Sequence, residues 1–169
     1  MFKKILLALL ALFLIIQLFR PEKNNSNDLT NAVTKKYEVP EEVAVILKNA
    51  CNDCHTNNTV YPWYANVQPV AWWLDEHVED GKRHLNLSNF IKLPIAVQNH
   101  KFEEIIEVVD ENEMPLESYT YLGLHQEANL TSEEKDILKS WAGKQMDYLK
   151  STYPADSLIM KRRQPPKNQ

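Results

Sequence analysis

An all-α fold is predicted by three observations: glycine is scarce, apolar residues recur at helical spacing in four separate stretches, and none alternates with period two. Only three glycines occur in 169 residues, whereas a sheet with many tight hairpins draws on glycine for its turns. That length suits one small domain with short additions. Hydrophobic residues make up 44% and charged residues 25%, the balance of a globular chain rather than a disordered one.

The N-terminus is basic, Met1-Phe2-Lys3-Lys4, and an apolar run from Ile5 to Phe19 follows, broken only by Gln17. A run of this length suits a signal-peptide core or a short membrane anchor. No small-x-small cleavage site follows, since the next residues are Gln17-Leu18-Phe19-Arg20-Pro21, and no cysteine is present to carry a lipid. An uncleaved membrane anchor helix within residues 1–20 is therefore favoured over a cleaved signal. A buried core helix fits poorly because the run has no polar face. With Lys3 and Lys4 held inside, the rest of the chain is expected on the periplasmic side of the cytoplasmic membrane. The alternative is a soluble periplasmic protein after signal cleavage.

Residues 21–38 are polar, without hydrophobic period, and read as a linker. The folded domain is expected over residues 39–148, and a polar tail with prolines over 149–169. Pro40-Glu41-Glu42 is a helix start, with proline in the first turn and acids at the positive end of the dipole. Val43, Ile46, Leu47 and Ala50 then share one face. Val67, Val70, Ala71, Leu74 and Val78 make a second stripe that ends near Gly81, and Phe102, Ile105, Ile106 and Val109 make a third. Thr131-Ser132-Glu133-Glu134 is a capping box, followed by Ile137, Leu138, Trp141 and Ala142 on one face.

Beyond residue 20 the chain carries 16 basic and 23 acidic residues. That balance argues against nucleic acid as a partner, because a phosphate-binding domain needs a basic face. Lys161-Arg162-Arg163, beside two prolines, reads as a solvated end.

The chemistry lies just after the first domain helix, in Cys51-Asn52-Asp53-Cys54-His55, a C-x-x-C-H motif holding both cysteines of the chain. Two thiols at this spacing can add to the two vinyl groups on one edge of a haem, and the next histidine then lies under the ring to bind iron. Three other readings compete. A thioredoxin-like redox pair wants strand–helix alternation around the cysteines, which is absent. A zinc site needs further ligands at finger spacing, and no second Cys or His pair supplies them. Chance is disfavoured for five placed residues at a helix end. One covalent haem c per chain is the expected cofactor, with His55 as the proximal iron ligand.

The second axial position falls to Met114, in Asn112-Glu113-Met114-Pro115-Leu116. A thioether is a soft, neutral ligand that favours ferrous iron and raises the potential. Met146 reads as core and Met160 as tail. His77, beside Trp73 and Leu74, leads the competing histidines His84, His100 and His125. Tyr61, Trp63, Tyr64, Trp72 and Trp73 form a dense aromatic set, read as a haem-pocket wall, as ordinary core, or as both. Pro62 or Pro69 is expected to offer a carbonyl to the second ring nitrogen of His55.

Taken together, these residues resemble the bacterial haem-binding domain family of c-type cytochromes, from about Val39 to Ala142. The likeness rests on Cys51-x-x-Cys54-His55, Tyr61-Pro62-Trp63-Tyr64, Pro69 and Trp72. It continues through His77-Val78, Gly81-Lys82-Arg83-His84-Leu85-Asn86, Met114-Pro115 and Leu130-Thr131. The resemblance implies a small cytochrome c-like helical domain around one covalent haem on the far side of the membrane. The function expected is one-electron transfer with membrane or periplasmic redox proteins, with no catalytic residues. A haem-based enzyme or sensor with an open distal site is the alternative, and an accessory protein without haem is the third class.

Overall fold

The structure, a computed structural model, describes residues 1–121 and 125–160. The basic tail 161–163 lies outside the described residues. Among the described residues every regular element is helical, and β pairing is confined to an isolated bridge between Asn25 and Asn58. The all-α expectation holds. Where one domain was expected over 39–148, the chain divides into two compact units.

The first unit combines Met1–Leu29 with Asn52–Ser88. It contains helices α1 (Phe2–Ile16), α3 (Asn52–His55) and α4 (Val70–His84), with a 3-10 turn at Trp63–Asn66. Helix α1 forms where the apolar run predicts it, but it has 15 residues and so spans about 22 Å, short of a hydrocarbon core of about 30 Å. Among the described residues no helix is long and apolar enough to cross a membrane. The expected transmembrane anchor helix is thus corrected. The helix stops at Gln17, whose side-chain amide donates back to the Phe13 carbonyl at 3.0 Å.

Helix α4 runs three residues past Gly81 to His84, and the Leu85 N–H still donates to the Gly81 carbonyl at 2.8 Å. Lys82, Arg83 and His84 occupy its last turn, where the negative end of the dipole favours cations. Ala71 and Val78 of the expected stripe are buried.

The second unit combines Thr30–Cys51 with the chain from Asn89 onward. It contains α2 (Glu41–Ala50), α5 (Ile95–Asp110), α6 (Glu117–Thr120) and α7 (Ser132–Thr152). Helix α2 starts after Pro40 and buries Val43, Ile46 and Leu47, three residues of the predicted face. Thr131 and Glu134 form the predicted capping box, with each side chain bonding the other residue's backbone N–H. Helix α7 continues four residues beyond the expected domain end at 148.

The core of this unit lies where α5 and α7 pack on one another. Phe90, Phe102 and Leu149 are wholly buried there, each stabilising the fold by about 1.5–3 kcal/mol of apolar transfer. The Tyr37 ring packs edge-on against Phe102 at 4.9 Å, and its hydroxyl donates to Gln98 Oε1 at 2.5 Å. Burial pushes that hydroxyl well above the ordinary tyrosine value.

The linker expected over 21–38 is packed instead, each half within its own unit. In the first unit, the Asn24 amide donates to the Thr56 carbonyl and Thr59 Oγ1, both at 2.9 Å. In the second, Val33 and Tyr37 are core residues. Polar composition here reflects backbone-bonding side chains rather than an extended tether.

Candidate functional site

Cys51 closes α2, its N–H donating to the Leu47 carbonyl at 2.9 Å, and α3 begins at the next residue. The C-x-x-C-H motif therefore lies where the sequence predicts it. Cys51 belongs to the second unit and Cys54 and His55 to the first, joined by the continuous chain. Both cysteines are thiols and partly buried.

So short a helix leaves backbone groups that need other partners. Side chains supply them. Thr56 Oγ1 donates to the Asn52 carbonyl at 2.6 Å, and Thr59 Oγ1 donates to the Asp53 carbonyl at 2.5 Å. The Val60 N–H donates to Asp53 Oδ1 at 3.0 Å. Behind them Asn57 acts as a hub: its N–H donates to Ser88 Oγ at 3.1 Å and its Oδ1 accepts from Asn86 Nδ2 at 2.9 Å. The hub's amide also donates to the Asp28 carbonyl at 3.2 Å. Asn57 is buried, and the bond from its N–H to Ser88 is shielded from water, the other two partly so.

The same 81–88 segment grips His55 twice. The Leu87 N–H donates to the His55 carbonyl at 2.8 Å. At the ring, Nδ1 stands 3.0 Å from the Gly81 carbonyl and 3.0 Å from the Leu85 carbonyl. Carbonyl oxygens only accept, so the proton is on Nδ1 and is shared between them, and Nε2 keeps its lone pair. The partner expected from Pro62 or Pro69 is corrected to this pair of carbonyls. Nothing in local periodicity marks them; the glycine at 81 is the one sequence signal that could have.

That glycine permits the contact. A Cβ on Gly81 would lie 2.7 Å from the Cys54 carbonyl oxygen and 3.0 Å from Cys54 Cβ. Only a residue without a side chain lets α4 approach the motif this closely.

The electrostatics suit ligation. Burial lowers the His55 pKa, opposed by the Leu85 and Gly81 carbonyl bonds, so the neutral imidazole is favoured. Burial, with Asp53 adding to it, pushes the Cys54 thiol up to about 11. A redox-active dithiol needs the opposite shift, toward thiolate at neutral pH. Two free cysteines followed by an imidazole with an oriented Nε2 are a donor set that fits a haem.

Met114 lies in the second unit, in the loop between α5 and α6. Its N–H and that of Glu113 both donate to the Val108 carbonyl, at 3.1 and 2.9 Å, folding the loop back on the end of α5. The side chain is half-buried, whereas Met160 is exposed.

The other histidines have local partners. His77 Nδ1 donates to the Trp73 carbonyl at 2.8 Å, with its ring 4.4 Å from the Trp73 ring. His84 bonds the Asp80 carbonyl, His100 bridges Glu103 and Glu104, and His125 stacks on Tyr119. Of the aromatic set, Tyr61 and Tyr64 are half-buried, whereas Trp63, Trp72 and Trp73 are exposed and are not core.

An all-α fold with an oriented imidazole directly behind two cysteines defines a haem-binding helical protein. A family model described as the haem-binding domain matches residues 11–144. The chain belongs to this family, and haem is its cofactor. No curated protein and no solved structure matches the chain.

Proposed function

We propose that the chain is a mono-haem c-type cytochrome that carries single electrons on the outer side of the cytoplasmic membrane. The observation that carries this reading is the His55 ring, whose Nδ1–H is held by the Gly81 and Leu85 carbonyls one residue beyond the second cysteine. When bound, the haem supplies a one-electron couple at its iron. Cys51 and Cys54 would hold the haem through thioether links to its two vinyl groups. His55 offers Nε2, and the two carbonyls keep the ring from turning. Met114 would offer a neutral thioether to the iron, a ligand that raises the potential.

The acidic balance beyond residue 20 favours a partner with a basic face, such as a membrane or periplasmic redox protein.

The test is to express the full chain with a c-type haem maturation system and to record spectra before and after denaturation in alkaline pyridine. Haem that stays on the denatured polypeptide, with a far-red sulfur-to-iron band in the oxidised native protein, is the expected result. Haem that washes away on denaturation refutes covalent attachment.

A further inference from the structure

We propose that the first unit is seated on an anionic lipid bilayer, with α1 embedded in lipid and a glutamine pair clamping the start of α4 to the membrane surface. The proposal rests on the reading of the protein as one that works at a membrane, and adds to it a fixed attitude on that surface.

Helix α1 carries no buried residue and no acid, and it is apolar on every side. A helix that docks in a protein groove needs only one apolar stripe. One that is apolar all round calls for a medium that wets every side, which is lipid. Its length does not reach across a bilayer, so its apolar body sits below one headgroup layer, with Lys3 and Lys4 snorkelling up at one end and Gln17 and Arg20 at the other. Those cations complement anionic headgroups, against the single acid Glu22 nearby, while the Lys23 ammonium is held by the Ala65 carbonyl at 3.2 Å.

The far end of α1 is not a loose tether. Gln17 Oε1 accepts from the Gln68 N–H at 2.9 Å, and Gln17 Nε2 donates to the Gln68 carbonyl at 3.3 Å. One side-chain amide thus pairs with one peptide group through two bonds. The Gln68 side chain, wholly buried, answers by donating to the Phe19 carbonyl at 2.6 Å. Its Oε1 accepts from the Trp72 N–H at 3.3 Å, in the first turn of α4. A chain of bonds therefore runs from the end of α1 to the start of the helix whose other end grips His55.

The chain on either side of Gln68 in sequence exposes large apolar groups: Val60, Trp63, Trp72 and Trp73. Indoles favour the headgroup level of a bilayer, where an apolar ring and a polar N–H are both satisfied. Phe19 and Leu18, next to Gln17, are exposed as well.

The experiment uses the full chain on vesicles of phosphatidylethanolamine and phosphatidylglycerol carrying a photoactivatable group near the lipid headgroup, with crosslinked peptides mapped by mass spectrometry. Labelling is expected both in α1 and over residues 60–73. Gln17→Ala is expected to keep the α1 labels and lose at least fivefold of those over 60–73, with far-ultraviolet circular dichroism unchanged. Trp63→Ala is expected to weaken only the second set. Labels in α1 alone in the unmodified chain overturn the clamp, and no label anywhere overturns the membrane seat. A Gln17→Ala pattern equal to that of the unmodified chain overturns the role of the glutamine pair. None of these readouts depends on haem, so they fail or succeed separately from the pyridine test.

Discussion

Replacing Gly81 by alanine places a methyl group where α4 comes closest to the cysteine motif. The new Cβ meets the Cys54 carbonyl oxygen at 2.7 Å, the Cys54 Cβ at 3.0 Å and the Cys54 carbonyl carbon at 3.2 Å. Two of these are backbone atoms, so no side-chain rotation relieves the clash. Ordinary contact requires α4 to retreat by about 0.5 Å or more. The two His55 bonds, now 3.0 Å each, then stretch to about 3.5 Å, the limit at which they count as bonds. Overpacking costs about 1–3 kcal/mol and the loosened bonds about 1 kcal/mol, while alanine returns about 1 kcal/mol of helix propensity. The net expectation is a destabilisation of about 1–3 kcal/mol, read from urea unfolding of the haem-free chain. Gly143 in α7 is the control, because nothing lies within 4 Å of its added Cβ. Gly143→Ala should stabilise by up to about 1 kcal/mol. A Gly81→Ala variant as stable as Gly143→Ala would refute the close-approach argument. In the haem-loaded protein, the freed imidazole proton makes His55 a weaker donor, and the midpoint potential is expected to rise.

Four further outcomes follow. The Cys54 thiol, raised to about 11 from an ordinary 9.0, is fully protonated in the folded haem-free chain at pH 8. Alkylation by iodoacetamide at that pH should be about 100-fold slower than in the urea-unfolded chain, as followed by mass spectrometry. Because the folded value is raised, the stability it contributes is present below about pH 9 and is lost as pH climbs through about 11, which a pH series of unfolding midpoints would record. Met114→Ala should abolish the sulfur-to-iron band and lower the potential by on the order of 100 mV while leaving haem attached, as measured by redox titration. Asn57→Ala should cost about 2 kcal/mol in urea unfolding, because it strips partners from Asn86 and from the Asp28 carbonyl inside a buried network.

The features legible in the sequence are those set by neighbours a few residues apart. Val43, Ile46 and Leu47 face inward on α2 because helical geometry puts i, i+3 and i+4 on one side. The Thr131–Glu134 box closes within four residues, and C-x-x-C-H carries its donor set in five. The apolar N-terminal run likewise predicted a helix, though its end at Ile16 depended on where Gln17 found partners. The tertiary structure decided the contacts between segments remote in sequence. His55 takes the carbonyls of residues 26 and 30 positions away rather than a nearer proline, because Gly81 lets one backbone approach another. Gln17 meets Gln68 across 51 positions, and polar residues 21–38 fold into their units instead of spanning open space. Hydrogen bonds of that kind satisfy backbone groups wherever two chains converge, and convergence follows from packing of the whole fold rather than from any local period.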